Sequence, residues 1–228
     1  MLATPMHAEA NHDLLGLVPP VVKRVVEVGC SSGATGAAFL AKHPNCEYIG
    51  IELVPEYAQA ARARLTDVRV ADIERMGSAD FEALFPVDCW LFGDVLEHLY
   101  DPWKTLRDLH PSLAPQACVV ACIPNAQHWS MQARLAAGGL RYETHGLLDR
   151  THIRFFTRKT IMDLFDSTGY QVEAIGARIV EPEPQRELAM PAIRALAAVL
   201  GEAPEAAQRD ATPIQYVVRA RRAARSDT

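Results

Sequence analysis

What this sequence lacks narrows it first. Its five cysteines are an odd number and none forms a C-x-x-C pair, which removes a disulfide framework and the commonest local redox or zinc motif. Most of the thiols fall in apolar, strand-like stretches, so buried thiols in a reducing compartment are expected. No apolar run approaches the roughly 18 residues of a membrane span, and the opening "MLATPMHAEANHD" has no charged-then-apolar leader pattern. The expectation is a soluble, cytoplasmic protein with no membrane partner. A basic excess is missing too: the net charge is -5 and no long like-charge run occurs, so no nucleic-acid partner is expected. Arginines cluster only in "RARRAARSDT", read as a basic flexible tail over 220–228.

What is present fits one α/β domain spanning 1–228, with 49% apolar residues to build its core. Short β-branched runs alternate with helical stretches, which predicts a doubly wound, mostly parallel sheet with helices on both faces. "RVVEVG", "CEYIGIEL", "DVRVADI", "VDCWLFGDV" and "ACVVACIP" read as strands one to five. "YQVEAIGARIV" and "TPIQYVVRARR" read as two more, an antiparallel pair at the edge. Residues 125–151 are irregular and read as a lid on the acceptor side. Residues 181–211 are Ala-rich with a Pro-broken start, a helical insertion of one helix or two that offers a surface for a homodimer or partner.

The stretch "VVEVGCSSGATG" poses the functional question. A phosphate loop needs Lys after its last glycine, and none follows Gly33 or Gly36. A dinucleotide fingerprint needs glycine two past Gly29, where Ser31 stands. Tyr100 and Lys104 have a dehydrogenase-like spacing, but they follow strand four directly with Pro102 between them. What remains is E-x-G-x-x-x-G with Glu27 beside the loop. A carboxylate there repels a pyrophosphate and suits an amino group, a sulfonium or water. Glu52 at the end of strand two suits two ribose hydroxyls, and Asp72 at the end of strand three an adenine amino group. Acids at this sheet edge without basic partners favour an uncharged or cationic nucleoside.

"EVGCSSGATG", "IGIELVPEYAQAA", "VADIE" and "FGDVLEHLYDPW", in that order, resemble the class I S-adenosylmethionine (SAM)-dependent methyltransferases over roughly residues 11–180. The usual first motif has glycine where this chain has Ser31 or Ser32. "LDRTHIRFFTRKTIMDLFDSTGYQV" is similar to a bacterial subgroup associated with sugars, surface polysaccharides and small metabolites. The resemblance implies a Rossmann-like, seven-stranded sheet with an antiparallel last strand. It also implies SAM as cofactor, with S-adenosylhomocysteine as its product. By this resemblance Glu27, Gly29, Cys30 and Gly33 line the methionine and ribose portion. Glu52 binds the ribose with Leu53 against the adenine, Asp72 and Ile73 bracket the adenine, and Asp94 lies near the methionine amino group.

An alcohol acceptor also needs a proton acceptor, which points to His98 in "DVLEHL" and His152 in "DRTHIRFF", with Glu97 beside them. His128 and His145 read as surface or lid residues. Trp129, Met131 and Tyr142 offer an aromatic wall or plain lid packing, and Arg134, Arg141 and Arg150 a phosphate or carboxylate contact or solvated charge. Asp94, Glu97, His98 and His152 also look like the metal ligands of small-RNA 2′-O-methyltransferases. The same Glu-His pair is routine in metal-free relatives, so the expectation is a site with no metal and a divalent ion as the alternative. The leading function is O-methylation of a sugar, polysaccharide or small metabolite. Alternatives are a SAM-binding accessory subunit and metal-dependent RNA 2′-O-methylation.

Overall fold

The structure, a computed structural model, describes residues 4–181 and 184–223. Seven strands form one sheet: β1 (Arg24–Val28), β2 (Glu47–Glu52), β3 (Asp67–Val70), β4 (Cys89–Gly93), β5 (Cys118–Pro124), β6 (Tyr170–Arg178) and β7 (Gln215–Arg222). Their order is β3-β2-β1-β4-β5-β7-β6. The neighbours among the first five strands are parallel, and β7 is antiparallel to both β5 and β6. The expected antiparallel pair stands at the sheet edge, with β6 outermost and β7 between it and β5. Burial explains the placement. Tyr216, Val217, Val218 and Ala220 of β7 are all buried, as a two-sided interior strand requires, whereas most of β6 is partly or fully exposed.

Nine helices flank the sheet among the described residues: α1 (His12–Gly16), α2 (Ala34–Leu40), α3 (Pro55–Ala61), α4 (Ser78–Glu82), α5 (Pro102–Leu109), α6 (Trp129–Ala136), α7 (Arg158–Asp166), α8 (Pro184–Val199) and α9 (Pro204–Asp210). Local chemistry sets several starts. Asn11 caps α1 by accepting from Leu14 N, Asp101 caps α5 ahead of Pro102, and Thr157 caps α7 by accepting from Thr160 N. Strand alternation then splits the interior in two. Val26, Ile49, Trp90 and Val119 share one core with α4, α5 and α7, while Val25, Tyr48, Leu91 and Val120 share the other with α1, α2 and α3. Gly36 lets α2 press onto β2: a Cβ there would come within 2.5 Å of the Tyr48 ring. All five cysteines are buried and unpaired, matching the reading of the sequence.

The insertion is two helices, with Pro191 inside the first. Met190 and Ile193 of α8 and Ala211 pack with Trp129, so the insertion braces α6. Residues 220–222, expected to begin a flexible tail, are strand instead. Arg219 Nε and Arg221 Nε lie 3.3 Å and 3.0 Å from Glu173 Oε2, which neutralises part of that basic cluster within the sheet. The remainder of the expected tail, 224–228, lies outside the described residues. No helix among the described residues is long and apolar enough to cross a membrane.

Candidate active site

Strand order reverses between β1 and β4, so a crevice opens where their C-terminal ends diverge. Gly29 makes the first turn there at φ +69°, and a Cβ would come within 2.7 Å of Val95 Cγ2. The loop is pinned to β2: Gly29 N donates to Ile51 O at 2.8 Å, and Ser31 N to Glu52 Oε2 at 2.8 Å. Glu52 Oε1 accepts from Val54 N at 2.9 Å. Glu52 therefore ties together the turns after β1 and β2. Each carboxylate oxygen still has a lone pair for a ligand.

Glu27, Gly29, Cys30 and Asp94 line one cleft. Glu27 is buried and accepts from Tyr48 OH at 3.0 Å. Burial pushes its carboxyl up to about 8, against hydrogen bonds from Tyr48 and Thr35 that pull it down. An anion was the natural sequence reading. In the free protein, burial makes Glu27 a neutral acid near pH 7. Its folded value exceeds its unfolded one, so the folded state holds the extra proton between them. Stability is expected to fall as pH rises from about 4.5 to about 8. Glu27→Gln should flatten that slope in urea titrations across the same range.

Asp94 leaves β4 in the left-handed region, φ +55°, and accepts from Gln215 Nε2 of β7. Burial raises its carboxyl, and His7 and Gln215 draw it partly back. Gly33 lies just outside the cleft lining, where it caps α2 at φ +77°. Leu53 is half exposed beyond β2. Asp72 accepts from Glu74 N at 3.1 Å and pairs with Arg75 at 3.3 Å, while the Ile73 side chain is packed into the core. The sequence reading missed His7, Glu9 and Asn11, which line the cleft from ahead of α1, and Tyr48 and Gln215, which hold its acids.

The chain runs from Asp94 into a 3-10 turn over Leu96–His98. His98 Nδ1 lies 3.1 Å from Thr151 O, and His152 Nδ1 lies 3.3 Å from Leu147 O. A carbonyl accepts only, so each Nδ1 carries the proton and each Nε2 presents a lone pair. The rings stand edge to face, 4.7 Å between centroids. Burial lowers both imidazoles, which keeps them neutral near pH 7. Glu97 is 1% exposed and neither carboxylate oxygen has a hydrogen-bond partner among the described residues. Burial holds its carboxyl well above the usual range, with Asp94 adding to the shift. His152 Nε2 stands 3.9 Å from Glu97 Oε1, too far for a hydrogen bond. Ligand atoms of Glu97, His98 and His152 all lie within 4.8 Å of one another. An orphaned carboxylate with an imidazole nitrogen of each histidine within 4.8 Å is a donor set that fits a divalent ion.

The expected lid is part helix. His128 is buried and caps α6, rather than lying on the surface, whereas His145 is exposed. Trp129 and Met131 pack inward and Tyr142 is 66% exposed, so these three side chains do not form one wall. Arg134 pairs with Glu143 at 2.6 Å, and Arg150 Nε lies 3.4 Å from Glu143 O.

The sheet order, the reversed β7 and the glycine loop above β1 define the class I SAM-dependent methyltransferase fold. A model of the methyltransferase-domain family matches residues 5–175, and the chain belongs to that family. A trans-aconitate 2-methyltransferase of Methylobacterium nodulans is 31% identical over 114 residues, which are 50% of this chain and 43% of that protein. The chain thus aligns with less than half the length of that relative. The methyltransferase in complex with the Haloferax volcanii activator Trm112 superposes with a TM-score of 0.61 at 17% identity, covering 98% of this chain and 92% of the other. The plantazolicin methyltransferase BpumL with S-adenosylhomocysteine gives 0.59 at 14%, covering 93% and 80%.

Proposed function

We propose that this enzyme methylates a hydroxyl of a sugar or small polar metabolite, with His98 as base and His152 orienting the acceptor. One observation carries the reading: both imidazoles are neutral and turn Nε2 away from a carbonyl-bound Nδ1. A hydroxyl must lose a proton as it attacks, and a neutral imidazole takes it. The acceptor oxygen bonds to the methyl carbon as the carbon–sulfur bond breaks. The sulfonium becomes a neutral thioether and the proton passes to His98 Nε2. In this reading the cleft holds the donor's amino-acid end, with Glu27 and Asp94 toward its amino group, and Glu52, outside the cleft lining but bonded to Ser31 N of that lining, on its ribose.

Methyl transfer from labelled SAM to sugars, nucleotide sugars and hydroxylated metabolites, with product mass spectrometry, tests the reading. Methyl ethers support it. Products formed only on carboxylates, the acid class named for the Methylobacterium relative, or only on amines overturn it. Tight S-adenosylhomocysteine binding without turnover on any acceptor would favour an accessory subunit.

A second reading is favoured by the orphaned Glu97 carboxylate. Glu97, His98 and His152 would hold a divalent ion, which when bound acts as a Lewis acid on an acceptor hydroxyl. Turnover indifferent to a chelator removes it. RNA as acceptor enters only with this reading, and the acidic chain opposes it. The exposed Leu188, Leu196, Val199 and Leu200 support a homodimer through the insertion, which light scattering decides.

A further inference from the structure

Ser31 and Ser32 occupy a loop where glycine is the ordinary residue, and Ser31 bears a cost for it. Its φ of +49° lies in the left-handed region that disfavours a side chain. Both hydroxyls have a use. Ser31 Oγ accepts from His7 N at 2.8 Å, and Ser32 Oγ donates to His7 O at 2.5 Å. Two adjacent serines thus take both backbone polar groups of one residue, more than twenty positions upstream. Arg64 Nη1 donates to Ser32 Oγ at 3.2 Å and steadies it. Two further ties flank this latch: Asn11 N donates to Thr35 Oγ1 at 3.3 Å, and Tyr57 OH donates to Thr4 O at 3.0 Å.

Tied this way, the segment lines the cleft: His7, Glu9 and Asn11 face the same space as Asp94. The space left beneath the segment is about 60 Å³, room for a few waters.

We infer that residues 4–11 are the outer wall of the donor site, latched by Ser31 and Ser32, with His7 closing the aminoacyl end of SAM beside Asp94. The inference rests on the assignment of this cleft to the donor. It makes donor release depend on unlatching, because the amino-acid end lies between the glycine loop and the segment.

The test compares wild-type protein with Ser31→Gly, Ser32→Ala and the double variant. Dissociation of S-adenosylhomocysteine is followed by stopped-flow displacement. Two hydrogen bonds are removed, so the double variant should release the product about tenfold faster. KM for SAM should rise to match, with KM for the acceptor unchanged. Ser31→Gly alone should not lower the unfolding temperature, since glycine relieves the positive φ. Hydrogen exchange supplies the second readout: bound product should slow exchange at residues 6–11 in the wild type and not in the double variant. Unchanged dissociation and unchanged exchange overturn the wall. Faster entry with tighter binding overturns it as well, by showing a plug. Wild-type protein that fails to bind the product overturns the donor assignment and this inference together, whereas binding with unchanged dissociation overturns this inference alone.

Discussion

Glu52→Ala is expected to weaken S-adenosylhomocysteine binding by two orders of magnitude or more. Two hydrogen bonds from ribose hydroxyls to a buried carboxylate contribute about 3 kcal/mol or more together, because bonds to charged groups are stronger than neutral ones. That sum corresponds to at least about a hundredfold in affinity. The carboxylate also accepts from Ser31 N and Val54 N, so its removal strands two backbone donors and loosens the glycine loop. Glu52→Gln separates the two effects. It preserves shape and one acceptor oxygen but turns an amide donor toward a backbone N–H or a ribose hydroxyl. Its binding loss should lie between those of wild type and alanine, with a smaller drop in unfolding temperature. Calorimetry gives the affinities, and an unchanged value for Glu52→Ala removes this residue from the donor site.

The second large effect is on turnover. His98→Ala is expected to lower kcat about 10²- to 10³-fold, the range of a positioned general base. Donor affinity should hold within about twofold, because the proposed role of His98 is toward the acceptor hydroxyl and not toward the donor. Steady-state kinetics with SAM varied, alongside calorimetric donor affinity, make the split visible. Wild-type turnover would strip His98 of the base role. A parallel collapse of donor affinity would instead assign it to the donor site.

Much of the fold was legible because its strands are buried on both faces and read as unbroken apolar runs, as in "CWLFG" and "CVVACIP". Charge at the ends of such runs is conspicuous, which is why Glu27, Glu52 and Asp94 could be picked out. The antiparallel edge pair was legible, but not which of its strands lies outermost; two-sided burial of β7 places it inside β6. What escaped depends on pairings distant along the chain. Gln215 meets Asp94 across 121 positions, and His7 meets Ser31 across 24. Neither partner carries a local signal, because a lone glutamine in a strand and a histidine ahead of a short helix are unremarkable. Protonation was illegible for a different reason. Glu27 looks like an anion until Tyr48 and the closed core around it are seen to exclude water.

The burial of every cysteine has a practical corollary in labelling chemistry. Cys30, Cys46, Cys89, Cys118 and Cys122 are all beneath the surface, so the folded protein offers maleimide reagents no ready target. A cysteine introduced at Met6, half exposed on the segment over the cleft, would be the one accessible thiol. A dye attached there would need no background substitutions, and its emission could follow that segment in the otherwise native molecule.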